Sequence, residues 1–272
     1  MALMITGLNQ LTESELRQWL GASEQRLAEG RRVQERNPDV VRLPGFHVDM
    51  AVQCRRIAVC RYALGDPVSA TRPLLEAVSR HYLALFLLRD LGQENGLRAR
   101  GEAPDISFFT SDRMFAGLSI AVVVNLKSVI EKITTLPWDT YSSVHPPKFG
   151  LYHATMALLL DAALNRTEAA LEKSQALCAN AENYGAPPPL TERLLSMVRA
   201  VQAGLKLDGE DFHASLSELL RVHEAQANSD SGSRNVATLV CFEALVAMAV
   251  AIRAGRDLSC IDSPYAPLSW IG

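Results

Sequence analysis

The chain has 272 residues, of which 48% are hydrophobic and 21% charged, and its formal net charge is −3. This composition is that of a globular protein, and the length suits one elongated domain or two closely packed halves. The small negative charge supplies no polybasic surface, so we expect neither nucleic acid nor a membrane as a partner. The five cysteines form no CxxC pair, and Cys54, Cys178 and Cys241 lie in apolar helical patterns, which indicates buried, reduced thiols and a cytoplasmic protein.

Neither the start of the chain nor its apolar runs indicates export or membrane insertion. Residues 1–11 have no basic region followed by a long apolar core, so no signal peptide is predicted. The apolar runs 114–126 and 239–252 are shorter than the about 20 residues that a spanning helix needs, and Glu243 interrupts the second. We interpret both runs as core helices.

Helical periodicity runs through nearly every long segment, and no segment has a convincing strand pattern. Thr12 and the acidic residues after it predict a capped helix start. The predicted helices cover residues 12–36, 48–64, 70–91, 112–134, 151–164, 167–184, 190–207, 211–227 and 236–253. In the pair 151–184, Asn165 is expected to adopt the left-handed conformation that ends a helix, and Thr167 to cap the next one.

The helix breaks recur at a nearly constant interval. Breaks at Asn165, Gly209 and Gly255 follow each other about every 45 residues, and Gly65 lies about two such units before Asn165. Helical units of this length are typical of tetratricopeptide and related α-solenoids, although the tetratricopeptide consensus is not legible here. The sequence therefore predicts an all-α protein, either an antiparallel helical-pair array (degenerate tetratricopeptide-like) or a compact helical bundle.

A loop rich in proline divides the chain into two predicted halves. Residues 1–136 form an N-terminal helical half, residues 137–150 a connecting loop, and residues 151–272 a C-terminal helical-pair half. The two halves are expected to belong to one continuous domain.

The sequence contains no recognisable catalytic motif. A P-loop, a glycine-rich dinucleotide motif, HExxH, an EF-hand and a nucleophile elbow are all missing. We therefore expect no enzymatic activity, no cofactor and no metal. The core helices also show few polar residues that would line a pocket.

Residues 208–213 form the most polar cluster of the chain. A carboxylate and imidazole site with His213 is one interpretation, and a helix start is the simpler one. In the simpler interpretation Asp208 and Gly209 make the turn, Asp211 caps the next helix, and acidic residues such as Glu210 are favourable beside its electropositive N-terminus.

Other polar or aromatic residues stand out singly. His223 is expected to be a satisfied core histidine, and Glu243 to pair with an arginine or to lie on an exposed edge. His47 and His145, beside prolines, are expected in loops that shape a partner surface. The tail, residues 260–270, is too apolar for a free end, so it is predicted to pack across the last helices.

Three features of the chain resemble a known family. The carrying segments are the helix end Cys60-Arg61-Tyr62-Ala63-Leu64-Gly65-Asp66, the following Leu74-Leu75-Glu76-Ala77, and the tail Asp262-Ser263-Pro264-Tyr265-Ala266-Pro267-Leu268. With the size and the helical pairs, they resemble the all-helical immunity proteins of bacterial polymorphic toxin systems, most closely the immunity 49 family. The resemblance implies a protein that binds and neutralises a cognate secreted toxin through a protein interface, without catalytic residues.

Two alternatives remain beside an immunity protein: a tetratricopeptide-like scaffold or regulatory binding protein, and a helical enzyme. For the immunity function, the predicted contact segments are the loops 92–105 and 137–150 and the acidic turn with Asp208, Glu210 and Asp211. An acidic patch suits a basic toxin active site such as that of a nuclease. Trp138 and Tyr141 are the candidate aromatic anchors, unless both pack on their own domain. The sequence does not decide between a monomer and a homodimer.

Overall fold

The computed structural model describes residues 11–90, 108–136, 150–229, 235–259, 261 and 263–272. Within these ranges the chain forms helices and no strand, which confirms the all-α prediction. The ten α-helices are α1 (Glu13–Arg36), α2 (Pro44–Ala63), α3 (Val68–Asp90), α4 (Ser111–Val123), α5 (Lys127–Thr134), α6 (Gly150–Ala163), α7 (Thr167–Asn180), α8 (Pro188–Leu205), α9 (Gly209–Ala227) and α10 (Phe242–Arg253).

The predicted helix starts are right in one case and wrong in another. Thr12 and Glu15 form a reciprocal capping box: the Glu15 backbone N–H donates to Thr12 Oγ1 at 3.2 Å, and the Thr12 N–H donates to Glu15 Oε2 at 2.7 Å. Thr167 does not cap α7, because the N-cap position falls on Arg166, which makes no side-chain capping bond.

The predicted helices 112–134 and 236–253 are each divided. Asn125, at φ 55°, separates α4 from α5. In the second segment a short turn, Val236–Thr238, precedes α10. The apolar pattern continues across both breaks because the residues on either side are buried in the same core. Periodicity alone therefore misses these breaks.

Five helices end in the same way. A residue with positive φ follows the last turn, and the next backbone N–H reaches back to the carbonyl five residues earlier, as in a Schellman motif. The Asp66 N–H donates to Arg61 O at 2.9 Å in the first of them. The five positive-φ residues are Gly65, Asn125, Asn165, Leu207 and Gly255. The left-handed Asn165 is thus confirmed, and the break predicted at Gly209 lies at Leu207.

These closures join α2 to α3, α4 to α5, α6 to α7 and α8 to α9 as contacting pairs. The last helix, α10, packs against both α8 and α4. One connected cluster of buried apolar side chains includes residues from all ten helices. The described parts of the two predicted halves therefore share one core. Of the predicted connecting loop 137–150, only Gly150 is described, and it begins α6.

The tail packs as predicted, but also against the N-terminal half. Trp270 is 1% exposed and lies between the rings of Tyr62 and Phe242, with ring centroids 5.2 and 6.0 Å away. The Tyr62 hydroxyl donates to Pro264 O at 3.0 Å, and the Gly272 N–H donates to Val123 O at 3.1 Å. The end of the chain thus connects α2, α4 and α10.

One stretch of the described chain, Val236–Arg253, is long and apolar enough to span a membrane by length and composition, with a mean hydropathy of 2.0. In the structure, 78% of this stretch is buried inside the protein. Such burial is typical of the core helix predicted for residues 239–252.

We expect Trp270→Ala to lower the free energy of unfolding by about 3–5 kcal/mol, because it empties a buried site where the tail meets α2 and α10. The matched control is Trp19→Ala, since Trp19 is 38% exposed and should cost about 1 kcal/mol or less. Urea unfolding followed by circular dichroism measures both. Equal losses in the two variants would show that the tail does not belong to the core.

Candidate functional site

The acidic turn, Asp208–Asp211, is the one predicted contact segment that lies wholly among the described residues. Its three carboxylates, on Asp208, Glu210 and Asp211, are exposed and form no ion pair with any described residue. Asp208, not Asp211, caps α9: its Oδ1 accepts from the Asp211 N–H at 3.1 Å. The predicted cap was wrong because α9 begins at Gly209.

Leu207 precedes the acidic turn and was missed by the sequence reasoning. Its φ is 57°, its side chain is 55% exposed, and it does not belong to the core cluster. A left-handed backbone costs a residue with a Cβ roughly 1–2 kcal/mol. At the other four Schellman closures this position holds glycine or asparagine, which tolerate it. Placing the break between α8 and α9 at Leu207, two residues before the predicted Gly209, would have revealed the exception.

The other predicted contact residues lie outside the described chain. Trp138, Tyr141, His145 and the loop 92–105 all fall in undescribed ranges. His47 is described, and its predicted place in a loop was wrong, since it is buried in α2 at 6% exposure. No group of three or more His, Cys, Asp or Glu side chains among the described residues could hold a metal ion.

A central cavity of about 310 Å³ lies between the two halves. Its lining mixes charged groups with aromatic rings from α2, α3, α4, α6, α8, α9 and α10. The charged lining residues are Arg55, Asp112, Arg113, Arg193 and Glu243. The expectation that the core helices have few polar residues to line a pocket was therefore wrong. The polar lining is spread over seven helices, of which α4 contributes three residues and the others one or two each, so no single segment shows the cavity.

Glu243 and Arg193 form an ion pair in the cavity wall, as one of the two interpretations of Glu243 predicted. Arg193 Nε lies 3.2 Å from Glu243 Oε1, although its N–H is not aligned as a hydrogen bond, and the side chains are 23% and 13% exposed. Burial is the largest influence and acts to raise the pKa of Glu243, but Arg193, a backbone hydrogen bond, His223 and Arg55 together outweigh it, so that the net pKa lies below its usual value. An Nη of Arg193 also donates to the Tyr152 hydroxyl at 3.4 Å.

Besides Arg193 Nε, three polar atoms of the cavity wall are buried without a hydrogen-bond partner: Arg55 Nε, Asp112 Oδ1 and Ser119 Oγ. The Arg55 guanidinium lies 4.5 Å from the centre of the Phe242 ring. It forms no ion pair with a described carboxylate, and burial lowers its pKa. The cavity wall thus contains a cation that forms no ion pair with a described carboxylate, and two oxygens without a hydrogen-bond partner.

His223 borders the same cavity and is satisfied, as predicted. It is 5% exposed, and its Nε2–H donates to Thr238 O at 2.9 Å. Burial lowers its pKa, which keeps the ring neutral at pH 7.

The described thiols are free and poorly suited to nucleophilic chemistry. Cys54, Cys60 and Cys241 are buried, whereas Cys178 packs against the core but is only partly buried. Burial raises the pKa of Cys54 and of Cys60 to about 11, so both remain protonated thiols at pH 7.

Two imidazoles face each other away from the cavity. His47 Nδ1 and His81 Nδ1 are 3.2 Å apart, and His47 Nε2 lies 2.7 Å from Val41 O. Because a carbonyl only accepts, His47 carries its proton on Nε2 and His81 donates between the rings. Burial, the facing His47 and the charge of Arg31 lower the pKa of His81 to about 4. Burial likewise lowers the pKa of His47.

Comparison with known proteins returned no match. No family model matches the chain, and none of the curated proteins or solved structures does.

We expect Glu243→Gln to lower the free energy of unfolding by about 3 kcal/mol, because it leaves Arg193 in the cavity wall without its counter-ion. Arg193→Met should cost a similar amount, and the double variant less than the sum of the two, since it leaves neither charge unpaired. The exposed pair Glu218 and Arg221 gives the control: Glu218→Gln should change stability little. Strict additivity in the cavity double variant would contradict the coupling.

We expect stability to fall with acidification because of His81. Its pKa is about 4 in the folded protein and 6.5 in the unfolded chain, so only the unfolded chain takes up the proton between these values. The contribution is complete above pH 6.5 and is lost by about 1 kcal/mol per pH unit as the pH falls toward 4. Urea unfolding at several pH values should show a shallower dependence in His81→Asn. His213→Gln, at an exposed histidine, is the control; equal slopes in both variants would refute the assignment.

Proposed function

We propose that the protein is an immunity protein that binds and neutralises a cognate bacterial toxin, with Leu207 and the acidic turn at the centre of the contact surface. The carrying observation is the exposed, left-handed Leu207 beside three unpaired carboxylates. Backbone strain concentrates at functional sites, where it serves an interaction that the isolated fold does not need.

The other four helix ends of this type support the proposal. Gly65, Asn125, Asn165 and Gly255 close their helices with residues that the left-handed conformation tolerates. Leu207 ends α8 in a conformation that is unfavourable for leucine, and its exposed side chain does not pack against the core. An apolar side chain in this position gains free energy only when another molecule covers it.

The carboxylates supply the second part of the surface. Asp208, Glu210 and Asp211 follow Leu207 closely in the chain and are exposed, and none forms an ion pair with a described residue, although the Arg256 guanidinium lies beside Gly209 of the same turn. A negative patch raises the rate of encounter with a positive surface, such as the active site of a nuclease toxin. An apolar anchor with a charged rim is the usual composition of a protein interface.

The family resemblance supports the same proposal. Two of the segments that carry it, residues 60–66 and 262–268, contact each other through the Tyr62 hydroxyl and Pro264 O. Arg61 and Asp66, which both lie in the first segment, are also paired, at 3.9 Å. A tetratricopeptide-like scaffold or regulatory binding protein would use the same surface, and the toxin experiment below separates the two.

The direct test is co-expression with the toxin domain encoded by the neighbouring gene. We expect cells to survive and the two proteins to purify as a complex. Cell death despite soluble, folded protein, with no complex recovered, would exclude the immunity function and favour the scaffold.

We expect Leu207→Gly to weaken toxin binding and yet to stabilise the free protein. Relief of the left-handed strain, roughly 1–2 kcal/mol, exceeds the entropic cost of glycine, roughly 0.5–1 kcal/mol. Leu43→Gly is the matched control, because Leu43 is 48% exposed at an ordinary φ of −92°. It should destabilise the protein and leave binding intact. A Leu207→Gly variant with unchanged affinity would remove Leu207 from the interface.

We expect the triple variant Asp208→Asn/Glu210→Gln/Asp211→Asn to slow association with the toxin several-fold at low salt, and by less at high salt, because screening removes the attraction. Asparagine at position 208 retains the α9 cap, so folding is preserved. Glu168→Gln/Glu172→Gln, at exposed positions on α7, is the charge control. Stopped-flow or surface-plasmon measurements give the rates. Equal rates for wild type and triple variant at low salt would exclude steering by this turn.

A further inference from the structure

The central cavity is a second candidate site, distinct from the toxin-binding surface. Gln226, in its wall, lies near the C-terminal end of α9, whereas the acidic turn is at the N-terminal end. At 1.5 Å per residue, the two sites are separated by roughly 25 Å along this helix. The exposed Gln226 and Asn235 mark the side on which the cavity reaches the surface.

We propose that this cavity binds a small hydroxycarboxylate, with the carboxylate held by Arg55 and the hydroxyl donating to Asp112. The volume of about 310 Å³ falls at the lower end of small-molecule sites, which span roughly 300–1,000 Å³. Aromatic rings of Tyr82, Phe115 and Tyr152 supply apolar walls for the body of such a ligand.

Arg55 is the reason for choosing a carboxylate. Phe242 covers one face of its guanidinium at 4.5 Å, which leaves the N–H edge for a ligand, and Nε is buried without a partner. A buried, unpaired guanidinium is costly unless an anion compensates it. The planar edge matches the two oxygens of a carboxylate, which it binds in bidentate fashion.

The charges of the wall favour a monoanion. Among the described lining residues, Glu243 is paired with Arg193, whereas Arg55 forms no ion pair with a described carboxylate. Water solvates the Arg55 guanidinium but adds no opposite charge, whereas a single carboxylate pairs with it.

The unsatisfied oxygens favour a hydroxyl on the same ligand. An ionised Asp112 only accepts hydrogen bonds, and its buried Oδ1 has no donor. Ser119 Oγ, also buried and unpartnered, donates or accepts as the ligand requires. A hydroxyl group satisfies the carboxylate of Asp112 without adding a charge.

The test is calorimetric titration and thermal melting of the full-length protein with lactate, mandelate and 4-hydroxybenzoate. Benzoate lacks the hydroxyl, benzyl alcohol lacks the carboxylate, and sodium chloride and phosphate serve as inorganic anions. We expect saturable binding of at least one hydroxycarboxylate, weaker binding of benzoate, and none of benzyl alcohol. If every hydroxycarboxylate acts no more strongly than the same concentration of chloride, the cavity holds only water or an inorganic ion and the proposal fails.

Two variants locate the binding. Arg55→Met should weaken the best probe at least about tenfold, while the ligand-free variant melts at an equal or higher temperature because an unpaired buried charge is gone. Asp112→Asn should reduce the preference for the hydroxyl-bearing probe over benzoate. Arg56→Met, at the neighbouring arginine that contacts Trp19 outside the cavity, should bind as wild type. Unchanged affinity in Arg55→Met would overturn the assignment.

The outcome is independent of the proposed toxin binding. Arg55→Met should leave toxin neutralisation intact, and Leu207→Gly should leave hydroxycarboxylate binding intact. A failure of either proposal is therefore recognisable by itself.

Discussion

The helical pairs depend on one hydrogen-bond geometry, the backbone bond that closes a Schellman motif. It requires a residue in the left-handed conformation after the last helical turn. Gly65, Asn125 and Asn165 supply it in the turns that pair α2 with α3, α4 with α5, and α6 with α7. Each closure reverses the chain within a few residues, so that consecutive helices pack and bury their apolar faces. Leu207 differs from these residues, because a leucine adopts the left-handed conformation only at a cost in free energy.

The core and the central cavity form where the helical pairs pack against one another. The last helix returns to α4, and the tail inserts Trp270 between α2 and α10. These contacts bring polar residues from distant segments, among them Arg55, Asp112 and Glu243, to a single cavity. Buried charges are tolerated there only when paired, as Glu243 is with Arg193, or when a ligand compensates them. A cavity lined by charged residues thus coexists with a strained, exposed residue between α8 and α9.

The sequence predicted what depends on local signals. Helical periodicity identified the all-α class. Thr12 correctly indicated the cap of the first helix, and Asn165 correctly indicated a left-handed helix end. Periodicity could not predict the break at Asn125, because the segments on both sides of it are apolar and buried in the same core. The cavity was missed because its polar wall residues are spread over seven helices that are distant in sequence. The prediction placed His47 in a loop because Pro44, three residues earlier, was interpreted as a loop signal. Pro44 instead occupies the first position of α2, where proline is favoured.

The central claim is that Leu207 and the acidic turn form the toxin-binding surface. Hydrogen–deuterium exchange of the free protein, and of the protein mixed with the toxin domain from the neighbouring gene, tests it most directly. Protection of backbone amides in residues 205–212 on addition of the toxin is the predicted result. A stable complex in which these residues exchange as fast as in the free protein, with protection only elsewhere, would contradict it.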